Sequence, residues 1–254
     1  MPASPRPLPV GAFFDVDNTL LHGASLMHLA RAAHGLGMVG FGDLARFGWK
    51  ALRFRRCGER LSVLDQVRDR GMVLLAGQSA DELHQLARTV VARMHHRFWP
   101  ETRAILREHL ANGHAVWLLS ATPDFLAAEI AAALGATGGF GTPLEIVEGV
   151  FTGRFAGPTM HSEQKAITAR ALMSEHRLRP EDCYAYSDSV NDLPLLTAVG
   201  TAVVVNPDRA LAGHAGRSGW RMLRLDPASI RAERRRLRSE AHRRARRRTP
   251  SPGG

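Results

Sequence analysis

The sequence predicts an α/β protein built on a doubly wound parallel sheet, and three observations lead to this prediction. Short apolar segments typical of buried strands alternate with longer segments of helical periodicity. Several of the apolar segments stop at a polar residue, as strands often do at the carboxyl edge of a parallel sheet. The chain has 254 residues, of which 44% are hydrophobic, so it can bury a substantial core. Strands that alternate with helices pair in parallel through helical crossovers.

The first strand is predicted at residues 10–15, and a long helical region, residues 22–99, follows it. The clearest helix of this region covers residues 80–95, with apolar side chains on one face and Ser79 as its N-cap. An earlier helix follows Ser25. We therefore expect an all-helical insertion between the first strand and the rest of the sheet.

The remaining chain alternates helices with short strands. A helix that begins at Pro100 precedes a strand at residues 115–119, and the next helix covers residues 123–134. Alternating residues around Glu148 and Gly149 predict a hairpin at residues 144–155. The later elements are a helix at 162–176, a strand at 183–186, a short helix at 191–198, a strand at 202–205, a helix at 209–214 and a strand at 222–225.

The net charge of +10 belongs mostly to the end of the chain. From Arg231 to Arg248 there are 10 Arg and 2 Glu, a net charge of +8, which leaves +2 for all other residues. We predict that residues 227–254 form a mobile basic tail, which could be helical. Its candidate partners are an anionic membrane surface or nucleic acid, and a solvated charge run without a partner is the alternative.

Two cysteines, Cys57 and Cys183, are too few for a disulfide framework, and the first nine residues lack the apolar segment of a signal peptide. No segment of the sequence approaches the ~18 consecutive apolar residues of a membrane span. We therefore expect a cytoplasmic protein, with peripheral contact at the membrane through its basic end as a further possibility.

Reactive polar residues follow three of the predicted strands, at the point where each strand ends. Because the carboxyl ends of parallel strands meet at one edge of the sheet, these side chains should share one crevice. Two carboxylates crowded together need a cation or a shared proton. The residues are Asp15 and Asp17 after the first strand, Ser120 after the second, and Asp188, Asn191 and Asp192 after a third.

Lysine is rare in this chain. Of the 34 basic residues only Lys50 and Lys165 are lysine, so a lysine can mark a place where a compact ammonium group is required. Lys165 opens the helix between the predicted hairpin and the strand that ends before Asp188. A solvated side chain in a first helical turn is the alternative interpretation.

The segments Asp15-Val16-Asp17-Asn18-Thr19, Ser120, Lys165 and Ser187-Asp188-Ser189-Val190-Asn191-Asp192 occur in the order of four signature motifs. Together they resemble the haloacid dehalogenase superfamily of phosphatases and phosphotransferases, over about residues 10–225. The helical insertion directly after the first motif is similar to the cap of the subfamily that contains phosphoserine phosphatase. The resemblance implies a core formed by residues 1–21 and 100–226 and a cap formed by residues 22–99.

The resemblance also implies residue roles. Asp15 is the expected nucleophile, which forms an aspartyl-phosphate intermediate. Asp17 is the expected general acid, and afterwards the base that activates water.

The same resemblance implies a magnesium site and a phosphate site. Asp15, the backbone carbonyl of Asp17 and Asp188 are the expected ligands of Mg²⁺, with Asp192 ordering its waters and Lys165. Ser120 and Lys165 are expected to hold the phosphoryl oxygens, with Asn191 beside them.

The phosphoserine enzymes carry a Glu nine residues after the nucleophile, where this chain has Ala24. The resemblance therefore implies hydrolysis of another small phosphomonoester. Arginines of the cap are candidates for contact with a second anionic group, although such side chains are usually only solvated. Two alternatives stay open: a phosphotransferase on the same core, or a binding protein that acts through its basic tail.

Overall fold

The computed structural model describes residues 9–37 and 75–248. Six parallel strands form one sheet and two antiparallel strands form a hairpin. The strands are β1 (Gly11–Phe14), β2 (Ala115–Pro123), β3 (Gly138–Thr142), β4 (Leu144–Val147), β5 (Val150–Phe155), β6 (Tyr184–Ser187), β7 (Thr201–Val205) and β8 (Arg221–Leu223).

The order of the main sheet is β3-β2-β1-β6-β7-β8. The chain moves outward from β1 through β2 to β3 and then returns to the other side of β1 at β6. This confirms the doubly wound α/β fold. In such a sheet the ligand crevice opens at the carboxyl ends of the strands where the winding reverses, which here is between β1 and β6.

The helices occupy the segments between these strands, and most of them lie within a few residues of the predicted bounds. They are α1 (Ser25–Gly35), α2 (Ala80–Met94), α3 (Pro100–Ala111), α4 (Asp124–Leu134), α5 (Glu163–Glu175), α6 (Leu193–Leu196), α7 (Arg209–Ser218) and α8 (Pro227–Arg248). Single 3₁₀ turns cover His95–Arg97, Pro180–Asp182 and Val190–Asp192. The predicted N-cap of α2 is confirmed, since the Ser79 hydroxyl accepts a hydrogen bond from the Glu82 amide at 3.4 Å.

Strand β1 lies at the centre of the sheet and is fully buried. Because side chains alternate along a strand, its two phenylalanines face opposite layers. Phe13 stacks on Trp117 at 5.3 Å between ring centroids, and Phe14 stacks on Tyr186 at 4.1 Å. The two faces belong to separate apolar clusters, so β1 is held from both sides.

Strand β3 is absent from the sequence prediction. Its Gly-Gly-Phe-Gly segment has the composition of a loop, yet two of its glycines lie directly against the backbone of α4 and its N-terminal end. A Cβ at Gly139 would lie 2.3 Å from the Ala127 carbonyl oxygen, and one at Gly141 would lie 2.5 Å from the Thr122 carbonyl oxygen. The glycines therefore allow the backbone of β3 to lie close to α4 and the residues before it. Strand propensity does not measure such a contact.

The predicted hairpin is confirmed. Strands β4 and β5 are joined at Glu148 and Gly149, which both have positive φ (50° and 77°), the conformation that a two-residue hairpin turn requires. The segment before α2 extends this hairpin on its other side: the Phe151 amide donates to the Gln78 carbonyl at 3.0 Å, and the Gly77 amide donates to the Phe151 carbonyl at 2.9 Å. The end of the predicted insertion is thus tied to the core.

Much of the predicted cap, residues 38–74, lies outside the described residues, together with Cys57 and the arginines Arg53, Arg55, Arg56 and Arg60. The two segments that connect the insertion to the core lie side by side. The His22 amide donates to the Arg97 carbonyl and the Trp99 amide to the Leu20 carbonyl, both at 2.9 Å. The cap boundaries remain a prediction.

The basic end of the chain begins as helix α8, which packs against α3 and the His95–Arg97 turn. Glu233 and Leu237 lie on its half-buried face, whereas Arg231, Arg234 and Arg235 are exposed. The sequence left a helix open as one form of this segment, and residues 227–248 take that form. The mobility of the tail stays a prediction. No helix within residues 9–37 and 75–248 combines the length and apolar character needed to span a bilayer.

Candidate active site

Asp15 follows β1 directly, and its backbone continues the sheet, since its amide donates to the Tyr186 carbonyl at 2.9 Å. The chain then turns sharply. The amides of Leu20 and Leu21 both donate to the Val16 carbonyl at 2.9 Å, and Asn18 takes a left-handed φ of 61°. Asparagine tolerates this conformation better than most residues. The turn carries Asp17 back toward the sheet edge that Asp15 occupies.

Lys165 joins two of the predicted carboxylates. From the first turn of α5, its Nζ donates to Asp15 Oδ1 at 2.5 Å and to Asp192 Oδ2 at 2.7 Å. Lys165 is 3% exposed and Asp15 and Asp192 are 6% and 2% exposed. A charge buried this deeply is tolerated only with partners, so the solvated alternative for Lys165 is wrong.

Ser187 completes this arrangement, since its hydroxyl donates to Asp192 Oδ2 at 2.7 Å. We call Asp15, Lys165, Asp192 and Ser187 the Asp15 cluster. Two carboxylates and one ammonium leave it with a net charge of −1, fixed at the carboxyl ends of β1 and β6.

Asp17 is held by the start of α1, where the Ser25 amide donates to its Oδ1 at 2.8 Å. A free amide in the first turn of a helix favours a negative charge. Burial nevertheless raises the pKa of Asp17, and the hydrogen bond from Ser25 opposes this only in part. Asp17 is therefore easier to protonate than a solvated aspartate.

Asp188 lies beside the same cluster and is half-buried. Burial, followed by repulsion from Asp15 and Asp192, raises the pKa of Asp188 to about 8. Burial likewise raises the pKa of Asp15 to about 7, although the Lys165 ammonium works in the opposite direction. For Lys165 itself, burial favours the neutral form, but the carboxylates of Asp15 and Asp192 outweigh it and raise its pKa.

The remaining predicted residues lie at the same edge of the sheet. Ser120 is buried, two residues beyond Leu118, which pairs with Phe14 of β1. Its hydroxyl accepts a hydrogen bond from the Thr122 amide at 3.3 Å. Asn191 lies in the turn after β6, where its amide donates to the Ser189 hydroxyl at 3.2 Å. The predicted residues thus lie at the same edge of the sheet, although β2 continues beyond Ser120 to Pro123. Their roles stay a prediction.

Two residues outside the predicted set support the site. Ser187 holds Asp192, and Asp208 braces the turn that carries Asp188. The Asp208 carboxylate accepts from the amides of Val190 and Leu211, both at 2.8 Å, and its own amide donates to the Asp188 carbonyl at 3.0 Å. An Asp directly before a helix is an N-cap signal, but sequence spacing does not reveal that this cap also reaches the turn after β6.

The donor groups of the site fit a magnesium ion. Within the part of the chain that the structure describes, no group of three or more His, Cys, Asp or Glu is arranged to hold a metal. The donors that the resemblance implies are of another kind: the Asp15 and Asp188 carboxylates and the backbone carbonyl of Asp17. Mg²⁺ prefers such oxygen ligands and commonly keeps several waters. A divalent cation would also offset the repulsion that raises the pKa of Asp188.

The doubly wound sheet and the buried lysine–carboxylate cluster at the carboxyl ends of β1 and β6 define an α/β protein with a charged site at the edge of its sheet. Comparison with known proteins is more specific. The haloacid dehalogenase-like hydrolase family matches residues 12–197. The chain belongs to this family and is a phosphatase of the haloacid dehalogenase type.

Among its relatives is phosphoserine phosphatase SerB1 of Mycobacterium tuberculosis, which is 39% identical over 218 residues, 85% of this chain and 71% of the relative. A protein of unknown function from Bordetella pertussis has a similar solved structure, with a TM-score of 0.74 and 29% identity over 85% of this chain and 98% of that one. A substrate-bound phosphoserine phosphatase shares the fold at 17% identity, with a TM-score of 0.65 over 86% of this chain and 94% of that one.

Proposed function

We propose that the protein is a magnesium-dependent phosphomonoester hydrolase that works through an aspartyl-phosphate intermediate on a small phosphorylated metabolite. The observation that carries the proposal is the contact of Lys165 Nζ with Asp15 at 2.5 Å and Asp192 at 2.7 Å. A nucleophilic carboxylate beside a buried cation is suited to accept a phosphoryl group, because the cation offsets charge on the transferring oxygens.

In the first step a carboxylate oxygen of Asp15 attacks phosphorus, and the bond from phosphorus to the ester oxygen breaks. Asp17 gives its proton to the departing alkoxide, so the alcohol leaves neutral. In the second step Asp17 takes a proton from water, whose oxygen attacks phosphorus and breaks the bond to Asp15. Inorganic phosphate leaves, and both carboxyl groups return to their starting states. The raised pKa of Asp17 supports its role as the acid.

The other site residues bind and orient the phosphate in this proposal. Lys165 neutralises charge at the transferring group while Asp192 and Ser187 hold its ammonium in place. Ser120 and Asn191 bind phosphoryl oxygens. When bound by Asp15, the Asp17 carbonyl and Asp188, Mg²⁺ supplies charge neutralisation for the incoming dianion. Asp192 orders the waters around that site.

The substrate is proposed as a phosphomonoester other than phosphoserine, although one relative is named phosphoserine phosphatase. Ala24 supports this proposal. It is the N-cap of α1, directly before the Ser25 amide that holds Asp17. Its exposed methyl group offers no charge to a substrate ammonium, so a charged amino group would gain nothing at this position.

Turnover of an aryl phosphate such as 4-nitrophenyl phosphate tests the proposal. We expect activity with Mg²⁺, loss of activity in excess chelator, and a loss on the order of 10⁴-fold or more in Asp15→Asn. Asp182→Asn, a partly exposed aspartate in an ion pair with Arg179, is the matched control and should keep full activity. Undiminished turnover by Asp15→Asn, or full turnover in chelator, would overturn the assignment.

The same assay tests Asp17. An aryl leaving group needs little protonation, so Asp17→Asn should lose less activity on an aryl phosphate than on an alkyl phosphate. Equal losses on both substrates would remove Asp17 from the acid role. Adding an alcohol acceptor tests the phosphotransferase alternative, because transfer would release less inorganic phosphate than alcohol from the substrate.

We further propose an electrostatic contact of the arginine-rich segment Arg231–Arg248 with an anionic membrane surface or nucleic acid. The exposed arginines Arg231, Arg234 and Arg235 support it. Binding to phosphatidylglycerol vesicles and to duplex DNA should fall steeply with salt, as expected for screened contacts that release counterions. Binding that ignores salt would contradict this contact. A cytoplasmic location stays a prediction from the sequence.

A further inference from the structure

A groove of about 440 Å³ separates α3 from α8, away from the residues assigned to the active site. Three guanidinium groups line it: Arg103 and Arg107 from α3, and Arg236 from α8. The carboxylate-bearing residue Glu233, also from α8, lines the groove as well. We call these four residues the arginine groove. A volume of this size can hold a small phosphorylated molecule or a lipid headgroup.

The positive charge of the groove is only partly neutralised. Glu233 Oε1 accepts from Arg103 Nη2 at 3.0 Å, and Glu233 Oε2 lies 2.9 Å from Arg236 Nε. Glu240 lies 3.9 Å from the same Arg236 nitrogen, at the outer limit of an ion pair. One carboxylate is therefore shared by two guanidinium groups, and Arg107 adds a third positive charge. The four groove residues carry a net charge of +2.

Arg103 makes this imbalance costly because its side chain is only 7% exposed. Burial, followed by repulsion from Arg107, lowers the pKa of Arg103, while Glu233 opposes the shift and Arg236 adds to it. The neighbouring His95 responds to the same field: burial and then Arg103 and Arg107 lower its pKa. An anion placed among the three guanidinium groups would relieve this repulsion.

We propose that the arginine groove is a binding site for a phosphate group, distinct from the active site. Guanidinium groups present paired N–H donors that match phosphate oxygens. Arg103 and Arg107 line the groove from α3, and Arg236 lines it from α8. The phosphate can belong to a free phosphorylated molecule or to the headgroup of a lipid. Either source satisfies the same chemistry, so the test has an arm for each.

The variant Arg107→Gln removes one charge from the groove. Arg107 is exposed, and it lies in neither the Arg103–Glu233 pair nor the proposed catalytic set. We therefore expect it to fold and to keep the turnover of the unchanged protein. Arg224→Gln is the matched control, since Arg224 is an exposed arginine outside the groove.

The first arm titrates the full chain with inorganic phosphate by calorimetry at constant ionic strength. We expect Arg107→Gln to weaken one phosphate site about tenfold, as for loss of a charged hydrogen-bonding group, and Arg224→Gln to leave it unchanged. Inhibition of turnover by phosphate reports the active site, and it should be equal in all three proteins. Unchanged phosphate binding in Arg107→Gln, or an equal loss in both variants, would overturn the proposal.

The second arm measures co-sedimentation with vesicles of phosphatidylglycerol in phosphatidylcholine. If a lipid headgroup occupies the groove, Arg107→Gln should weaken both vesicle binding and the binding of free phosphate, and Arg224→Gln should weaken neither. The exposed arginines of α8 are present in all three proteins, so the comparison is made at equal salt. If only the binding of free phosphate is weakened and vesicle binding is unchanged, the groove is assigned to a soluble phosphorylated molecule. If Arg107→Gln keeps both its vesicle binding and its binding of free phosphate, the groove is not a phosphate site.

Discussion

The Asp15 cluster and the arginine-rich helix α8 use charge in opposite ways. The cluster contains one lysine between two carboxylates, all of them less than a tenth exposed. Helix α8 carries many arginines, and the side chains of Arg231, Arg234 and Arg235 are exposed. Exposed ion pairs contribute about 0–1 kcal/mol, whereas breaking a buried pair costs about 3–5 kcal/mol. The few buried charges are therefore expected to contribute more to the stability of the fold than the many exposed arginines.

The largest expected effect comes from the centre of the cluster. Lys165→Met leaves two buried carboxylates without their cation, and we expect the free energy of unfolding at pH 8 to fall by about 3–5 kcal/mol. Urea denaturation measures this. Arg170→Gln on the same helix breaks the exposed Arg170–Glu163 pair (3.2 Å) and should cost no more than about 1 kcal/mol. Equal losses in both variants would break the comparison between buried and exposed charge.

A second effect concerns His109, which is buried on the inner side of α3. Its Nε2 lies 2.8 Å from the Tyr186 hydroxyl and its Nδ1 lies 2.8 Å from His114 Nδ1. Burial, followed by repulsion from His114, lowers the pKa of His109 to about 4. Between about pH 6.5 and 4 the unfolded chain binds this proton more readily, so the contribution to stability is complete above pH 6.5 and is lost as the pH falls toward 4.

Between pH 7 and pH 5, protonation of His109 in the unfolded chain should lower the free energy of unfolding by about 2 kcal/mol. The variant His109→Gln cannot take up the proton, so its urea midpoint should fall less over this interval than that of the unchanged chain. Groups common to both proteins cancel in the difference. Parallel pH dependence of the two proteins would show that His109 is not a source of acid sensitivity.

A smaller effect is expected at the brace of the site. Asp208→Ala removes the N-cap of α7 and the acceptor of the Val190 amide, and it should cost about 1–2 kcal/mol of unfolding free energy. Because the brace also holds the turn that carries Asp188, the Mg²⁺ concentration for half-maximal activity should rise several-fold. Asp208→Asn keeps one capping oxygen and should recover part of both losses. An unchanged Mg²⁺ requirement in Asp208→Ala would leave Asp208 as a helix cap alone.

The smallest effect is expected at the far end of α8. Removal of residues 241–254 leaves Glu233 and its pair with Arg103 intact, so stability should change by no more than about 0.5 kcal/mol and turnover should stay the same. Removal of residues 231–254 also deletes Glu233 and the packing of α8 on α3, so it should destabilise the chain more than the shorter truncation. Thermal unfolding of the two truncated chains compares them, and equal stability would show that α8 is not anchored through Glu233.

Much of the site follows from the sequence because strand ends are visible as apolar segments that stop at polar residues. Asp15 and Asp188 follow β1 and β6 as predicted, and parallel pairing brings these two ends to one edge. The prediction that the second strand ends before Ser120 is wrong, because β2 continues to Pro123 and contains Ser120. Strand β3 was not predicted, because its glycines are selected by contact with α4 rather than by strand propensity. Local composition contains no information about that contact.

The sequence by itself determined the α/β alternation and the set of carboxylates at the strand ends, since periodicity and strand ends are local properties. Tertiary structure alone decided which groups pair. Lys165 reaches Asp15 across 150 residues of chain, and Glu233 reaches Arg103 across 130. The structure alone also showed that α8, in which 10 of 22 residues are arginine, packs through Glu233 and Leu237 and leaves a groove beside α3. The physical reason is that burial and the distance between charges, which set the strength of each interaction, exist only once the chain has folded.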